Sequence, residues 1–341
     1  MGNEEKKYVY LDHNVLNDMH DGHERVIRDY LEESQLQVVY SDQNIDEITA
    51  SVRRKDYFVD VLSSLGALHI NSPLDKNWKP TNELIVQEKP PNDRIIELEE
   101  ARAGTEEIGD HIDMLTAIFG GGGADNIVSD ALSQLEAAKK MVDESLAEHP
   151  EFAHLIDVTS LEAKLEEAKA GINTQLAELE KELKENGSPF VEANIKKHLG
   201  YSMNEISGVV GPDVIKKLWK MVGPKLGGYD SIEEYQAAVI SASGEKFGLH
   251  GTEQQTVIQR ANDLYLWLNI IGFHRDEKMG KPRRMKASAA DMNHASYAMT
   301  CCTHFICRDK RLRYKAEAIY EHLDVGIEVL NPQDLYETAK V

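Results

Sequence analysis

Short apolar runs alternate with amphipathic stretches at the two ends of this chain. Tyr8–Leu11, Leu36–Tyr40 and Ala67–Ile70 are brief and rich in β-branched, aromatic and aliphatic residues, the composition of strands that fit a buried sheet. Between them lie two segments with helical spacing, roughly 15–34 and 45–66. The tail repeats the grammar. A helix is predicted near 291–299, a strand over 304–307, a helix over 310–322 and a strand over 326–330. Strand and helix in alternation, joined by short links, predict an α/β fold: a parallel sheet with helices on both faces and right-handed crossovers.

The middle of the chain reads differently. A segment rich in Pro and Asn follows Asn71, with Pro73, Pro80, Pro90 and Pro91. From about 92 to about 273 the pattern is mostly helical. Leu161, Leu165, Ala168, Ile172, Leu176, Leu179 and Leu183 follow one another at spacings of three and four, which predicts one continuous helix stripe over 159–186. The stretch 130–148 is its expected antiparallel partner. Further helices are expected near 191–199, 212–221, 231–243 and 252–271. The predicted organisation is therefore a core in two halves, 1–80 and 285–341, interrupted by a large, mostly α-helical insertion at 81–284.

Composition narrows the classes. No apolar stretch reaches the roughly 20 residues needed to cross a bilayer, and the first ten residues carry no apolar signal core. Cys301, Cys302 and Cys307 sit in one segment, neither a disulfide framework nor a zinc spacing. They are expected to be reduced core cysteines of a cytoplasmic protein. The net charge of −21 argues in bulk against a nucleic-acid partner. Local charge matters more. Lys278, Lys281, Arg283, Arg284 and Lys286 form the most basic stretch of the chain. Lys196, Lys197, Lys216, Lys217, Lys220 and Lys225, with Trp219, form a second basic region. The run Gly120–Gly123 lacks the Gly-Lys-Ser/Thr of a phosphate loop and is expected to be a helix break.

Four acids stand where strands end or helices begin. Asp12 closes YVYLD, Glu47 follows VVYSDQNID, Asp291 opens DMNHASYAM, and Asp309 follows HFICRD. Carboxylates gathered at one edge of a parallel sheet make a site for hard divalent cations. Each acid also has a plain alternative: Asp12, Asp291 and Asp309 as helix caps, Glu47 as a solvated helix residue.

In order and placement these motifs resemble PIN-domain nucleases: Leu11-Asp12-His13-Asn14, Asp46-Glu47-Ile48, Asp291-Met292-Asn293-His294, and Ile306-Cys307-Arg308-Asp309-Lys310, with a closing strand and Asn331-Pro332 turn. The resemblance covers the two ends and none of the middle. His13 stands where many members carry Thr or Ser. The resemblance implies a PIN-like core whose Asp12, Glu47, Asp291 and Asp309 are catalytic and hold Mg²⁺ or Mn²⁺. Asp12 would be the central ligand, and Glu47 would orient the attacking water. It implies phosphodiester hydrolysis, with RNA favoured over DNA. Asn14, His294, Arg308, Lys310, Arg283 and Arg284 are the expected substrate contacts. A helical insertion of this size is expected to bind a protein partner or to support an oligomer, as in toxin or phage-defence effectors. Two other readings stay open. A haloacid-dehalogenase-like phosphatase would want a second Asp where Asn14 stands. A non-catalytic PIN-like interaction protein would use the helical arm alone.

Overall fold

The computed structural model describes residues 6–73, 81–103, 116, 119, 127–148, 158–186, 188, 191–237 and 255–338. The expected run Gly120–Gly123 and the ends of the helices expected at 231–243 and 252–271 lie outside them.

A six-stranded sheet forms the centre: β1 (Lys7–Leu11), β2 (Leu36–Tyr40), β3 (Leu68–Asn71), β4 (Ile85–Gln87), β5 (His304–Ile306) and β6 (Glu328–Leu330). Its order is β4-β3-β2-β1-β5-β6, parallel throughout except for β4, which runs antiparallel to β3. β1 is therefore central. Tyr10 pairs with Val39 on one side and Phe305 on the other.

Period-two alternation divides the buried side chains between two cores. Val9, Leu11, Val38, Tyr40 and Ile306 point to one face. There they meet helices α1 (His13–Asp18), α2 (Glu24–Glu33), α3 (Asp42–Ala50), α4 (Lys55–Ser64) and α5 (Pro91–Ala103). Tyr10, Val39, Ile70 and Phe305 point to the other face.

The segment 81–284 contributes to both cores: Ile95 of α5 joins the first. It then continues as α6 (Ile127–Glu148), α7 (Val158–Gly171), α8 (Ala177–Asn186), α9 (Glu192–Leu199), α10 (Met203–Ser207), α11 (Val214–Val222) and α12 (Val257–Ile271). Helices α9 to α12 pack on the second face, together with α13 (Pro282–Cys301) and α14 (Lys310–His322). The last helix, α15 (Pro332–Thr338), places Tyr336 in the first core.

Several expected elements differ in detail. The helix expected over 15–34 is interrupted by a widened turn, Met19–His23, in which Gly22 takes φ 113°. Only glycine enters that region without strain. The helix expected over 45–66 is two helices, broken at Ser51–Arg54. β4 falls in the Pro- and Asn-rich segment that follows Asn71, where no strand was expected. Its three residues are too few for alternation to show. The expected stripe over 159–186 is helical from α7 to α8 through a wide turn at Ile172–Leu176. Its expected antiparallel partner α6 meets it in that sense: Val128 N donates to Glu180 Oε2 (3.1 Å), and Lys169 Nζ pairs with Glu136 Oε1 (2.6 Å).

The largest correction concerns α13. The third acid was expected to open its helix, as a metal ligand or, on the plain alternative, as a cap. The helix instead begins at Pro282, which presets φ at its first turn, so Asp291 lies in the middle of a 20-residue helix.

Candidate active site

Connections leave β1 in one direction through β2 and β3, and the chain later returns on the other side as β5 and β6. The switch of direction lies between β1 and β5. In an open parallel sheet, the crevice outside the carboxyl ends of the strands at such a point is where ligands bind. Asp12, Asp309 and Glu47 come from the segments that follow β1, β5 and β2.

Asp12 continues the ladder beyond β1, its N–H donating to Ile306 O (3.0 Å). Its side chain is 2% exposed and makes no cap bond to α1. Instead Oδ2 accepts from Asn14 Nδ2 (3.1 Å) and from the Cys307 thiol (3.6 Å). Burial pushes the Asp12 carboxyl above its ordinary pKa, and the Glu47 charge adds to this against the opposing His294. Asp309 does cap: its Oδ1 accepts from the N–H groups of Arg311 (2.7 Å) and Leu312 (3.0 Å) at the start of α14.

His294 is the organising side chain. It was expected to contact substrate or a neighbouring carboxylate; it is fully buried and pairs with the carboxylates. Nε2 pairs with Glu47 Oε2 at 2.8 Å and lies 4.0 Å from Asp12 Oδ1. Nδ1 bonds the Tyr10 hydroxyl at 2.9 Å, and that hydroxyl bonds Ser41 Oγ at 2.6 Å. Burial alone would lower the His294 pKa. The Glu47 hydrogen bond and the charges of Glu47 and Asp12 outweigh it and raise the imidazole above its ordinary value. Glu47 responds in the opposite sense. Burial works to raise it, and the bond to His294 with the His294 and His13 charges brings it below the usual range. His13 Nδ1 is buried with no hydrogen-bond partner, 3.9 Å from Glu47 Oε2.

Truncating His294 leaves Glu47 and Tyr10 without their shared partner. Because Glu47 is partly exposed, His294→Ala is expected to cost about 2–3 kcal/mol, below the full loss for a buried pair. Urea denaturation measures it; a loss under about 0.5 kcal/mol, the range of an ordinary surface substitution, rules out the organising role.

Asp291 lies on the same stripe of α13, three residues before His294, and is half-buried. Burial raises its pKa well above the carboxylate range. The charges of Asp276, Asp12 and Asp309 add to that, and Lys315 opposes it. Two other expected acids, Asp12 and Asp309, thus act on Asp291, and so does a further acid, Asp276, from the loop between α12 and α13. Sequence reading missed Asp276, Lys315, Tyr10 and Ser41. Lys315 had a signal: it lies on the apolar stripe of α14 formed by Leu312, Ala316 and Ile319.

The remaining candidates divide. Asn14 holds Asp12, as above. Arg308 is tied to the buried Asp18, which also accepts from Tyr336 OH (3.1 Å). Expected as a substrate contact, it is engaged here in fastening α15 through Asp18. Lys310 is exposed, with its ammonium 5.6 Å from the Tyr314 ring centre. Arg283 and Arg284 are exposed in the first turn of α13. Arg284 precedes Asp291 by two helical turns, about 10 Å along the same face. Trp219 is a core residue (7% exposed).

Among the described residues, no three His, Cys, Asp or Glu side chains are gathered as a metal centre. The residues fit a hard divalent ion in kind. Carboxylate oxygens are the donors Mg²⁺ and Mn²⁺ prefer, the acids repel one another, and the His13 nitrogen is orphaned. They are not closed around one point. No helix among the described residues is long and apolar enough to cross a membrane. Comparisons with protein-family models, curated proteins and solved structures find no match.

Proposed function

We propose that this chain is a cytoplasmic, divalent-metal-dependent endonuclease with a PIN-like core, acting on RNA in preference to DNA. The observation that carries the reading is the placement of Asp12, Glu47 and Asp309 after the carboxyl ends of β1, β2 and β5 at the switch point of a parallel sheet, with Asp12 and Asp291 both raised chiefly by burial and the Asp12 charge adding at Asp291. Carboxylates raised by burial and by neighbouring negative charge form a place that a divalent cation would stabilise.

Asp12, Asp291 and Asp309 would hold Mg²⁺ or Mn²⁺. When bound, the ion supplies a nucleophilic water at neutral pH and neutralises charge on the phosphoryl oxygens. Asn14 fixes the Asp12 carboxylate through its 3.1 Å bond. Glu47, held by His294 and lowered in pKa, stays ionised and orients the water as a hydrogen-bond acceptor. Tyr10 and Ser41 lock the imidazole from behind, so Glu47 is set before substrate arrives. Lys310 directly follows Asp309, and Arg283 and Arg284 are exposed about two turns before Asp291 on α13, basic groups suited to a phosphate backbone. They offset locally the acidic charge of the whole chain. Asn14 donates to Asp12 where a haloacid-dehalogenase phosphatase needs a second acid, which disfavours that alternative. Regulation by a protein partner at the α6–α8 hairpin, as in toxin or phage-defence effectors, is part of the same proposal.

The test is direct. Purified protein is incubated with single-stranded RNA and DNA in Mn²⁺ or in EDTA, and product ends are mapped. Cleavage of RNA that leaves 5′-phosphates and stops in EDTA is expected. Equal cleavage in EDTA overturns the metal-dependent reading.

A further inference from the structure

The most basic stretch of the chain is a fastened loop, not a linker. Between α12 and α13 the chain lies against α14, and three contacts tie it there. The His274 and Tyr314 rings stack, with centres 4.2 Å and planes 17° apart. Asp276 Oδ1 accepts from the fully buried Lys315 Nζ at 2.7 Å. Glu277 Oε1 accepts from Arg311 Nη2 at 2.7 Å. Two further contacts hold the α13 side. Ser288 Oγ donates to Asp276 Oδ2 at 2.6 Å, and Met279 and Met285 are buried against Phe119. His274 and Lys278 take φ of 41° and 57°, a conformation that residues with a Cβ keep only where their surroundings hold them.

Held in this way, the loop presents charge. Lys278, Lys281, Arg283 and Arg284 are exposed on the loop and the first turn of α13. Exposed Lys310 and half-exposed Arg311 open α14. Glu277 joins the two groups. The Arg311 hydrogen bond and charge hold its carboxyl below the ordinary range, and the charges of Lys278 and Arg284 add to that. Among the described residues, no carboxylate pairs with Lys278, Lys281, Arg283 or Arg284. The chain has 59 acids for 38 Lys and Arg, and elsewhere Arg28, Arg94 and Lys169 each have a carboxylate partner. Cations clustered without such partners set up a local positive potential that attracts a polyanion.

We infer that the α12–α13 loop and the start of α14 form a docking face for the phosphate backbone of single-stranded RNA, with Glu277 occupying Arg311 as an internal stand-in for a phosphate. The choice of RNA rests on the proposed nuclease reading. The face adjoins two of the acids of that reading: Asp309 directly precedes Lys310, and α13 runs from Arg284 to Asp291. Phosphate contacts position a strand without reading its sequence, so the face accepts RNA of any sequence.

The experiment is fluorescence anisotropy of end-labelled, mixed-sequence single-stranded RNA with the full chain in EDTA, from about 50 to about 200 mM salt. Five cations outside the Glu277 pair predict a slope of about 3.5 in log affinity against log salt, roughly a hundredfold loss over that range. The triple variant Lys281→Gln/Arg283→Gln/Arg284→Gln is expected to lower the slope by about 2 and to weaken binding alike across sequences. Glu277→Gln frees Arg311 and is expected to tighten binding about fivefold. If Glu277 only braced the loop, its loss would weaken binding, and that result overturns the stand-in role. An unchanged slope in the triple variant overturns the face. So does binding to phosphatidylserine vesicles with none to RNA. The assay needs neither metal nor cleavage, so the two readings fail separately. RNA cleavage in Mn²⁺ without binding in EDTA overturns this face alone, and binding that follows the predicted slopes without cleavage supports the face while the catalytic reading falls.

Discussion

Replacing Asp12 by asparagine is expected to lower metal-dependent RNA cleavage at least about a thousandfold, the scale on which removal of a central charge-stabilising group acts. The same variant is expected to be no less stable than wild type in EDTA. Asp12 is 2% exposed and its carboxyl is raised by burial, so its ionised form is tolerated rather than favoured by the fold. Asparagine keeps the shape and can keep a bond to Asn14. Loss of activity without loss of stability separates a functional Asp12 from a structural one. Single-turnover cleavage rates, paired with thermal melts in EDTA, check both halves. Undiminished cleavage by Asp12→Asn ends the proposed role, and a melting temperature several degrees lower identifies Asp12 as a structural residue.

Asp291 gives the second large effect, through stability and pH. Its folded-state pKa is raised, so the folded chain binds that proton more tightly than the unfolded chain. Stability from this group is greatest below the unfolded carboxylate value and falls as pH rises through the elevated folded value. Asp12 acts in the same sense. The His294 contribution is also lost as pH rises, from its ordinary value near 6.5 through its raised one. Glu47 acts oppositely: its contribution is present above its ordinary value and lost as pH falls through its lowered one.

In the metal-free protein the raised acids and the raised imidazole contribute a decline in melting temperature toward pH 8, set against the lowered His13, His274, His304 and His322, whose contribution is present above the ordinary histidine value and lost as pH falls below it. Asp291→Asn is expected to flatten that decline and to melt at least about 2 °C above wild type at pH 8 in EDTA. Saturating Mn²⁺ reverses the ranking. At a hundred times its dissociation constant a ligand adds about 2.7 kcal/mol, and wild type gains it while Asp291→Asn gains much less. Melts across pH with EDTA or Mn²⁺ decide the matter. An Asp291→Asn melting temperature no higher than that of wild type at pH 8 in EDTA, or an equal response of both proteins to Mn²⁺, rules out strained carboxylates awaiting a cation.

Much of the architecture was legible before any coordinates because its signals are local. Tyr8–Leu11 and Leu36–Tyr40 read as strands from short β-rich runs, and Val9 and Leu11 face one core while Tyr10 faces the other. Helix α14 read as a helix from its spacing, almost to its ends. Less local features escaped. The three-residue strand β4 has too little pattern to register. The start of α13 was misplaced because its basic first two turns resemble a linker until they pack. The break between α3 and α4 was hidden because both helices carry apolar stripes of the same period.

The site divides in the same way. The chain's own order of residues determined that acids stand at strand ends, that β1 ends in Asp12, and that a basic stretch precedes Asp291. Only the folded arrangement decided which groups meet. His294 reaches Glu47 across 247 positions of sequence, and Lys315 meets Asp276 across 39. Arg308 was drawn to Asp18 on a different element. Periodicity is written by neighbouring residues, so it survives in the linear text. Charge pairing is set by through-space distance and by how much water is excluded, and neither exists until β1, β5, α13 and α14 have packed.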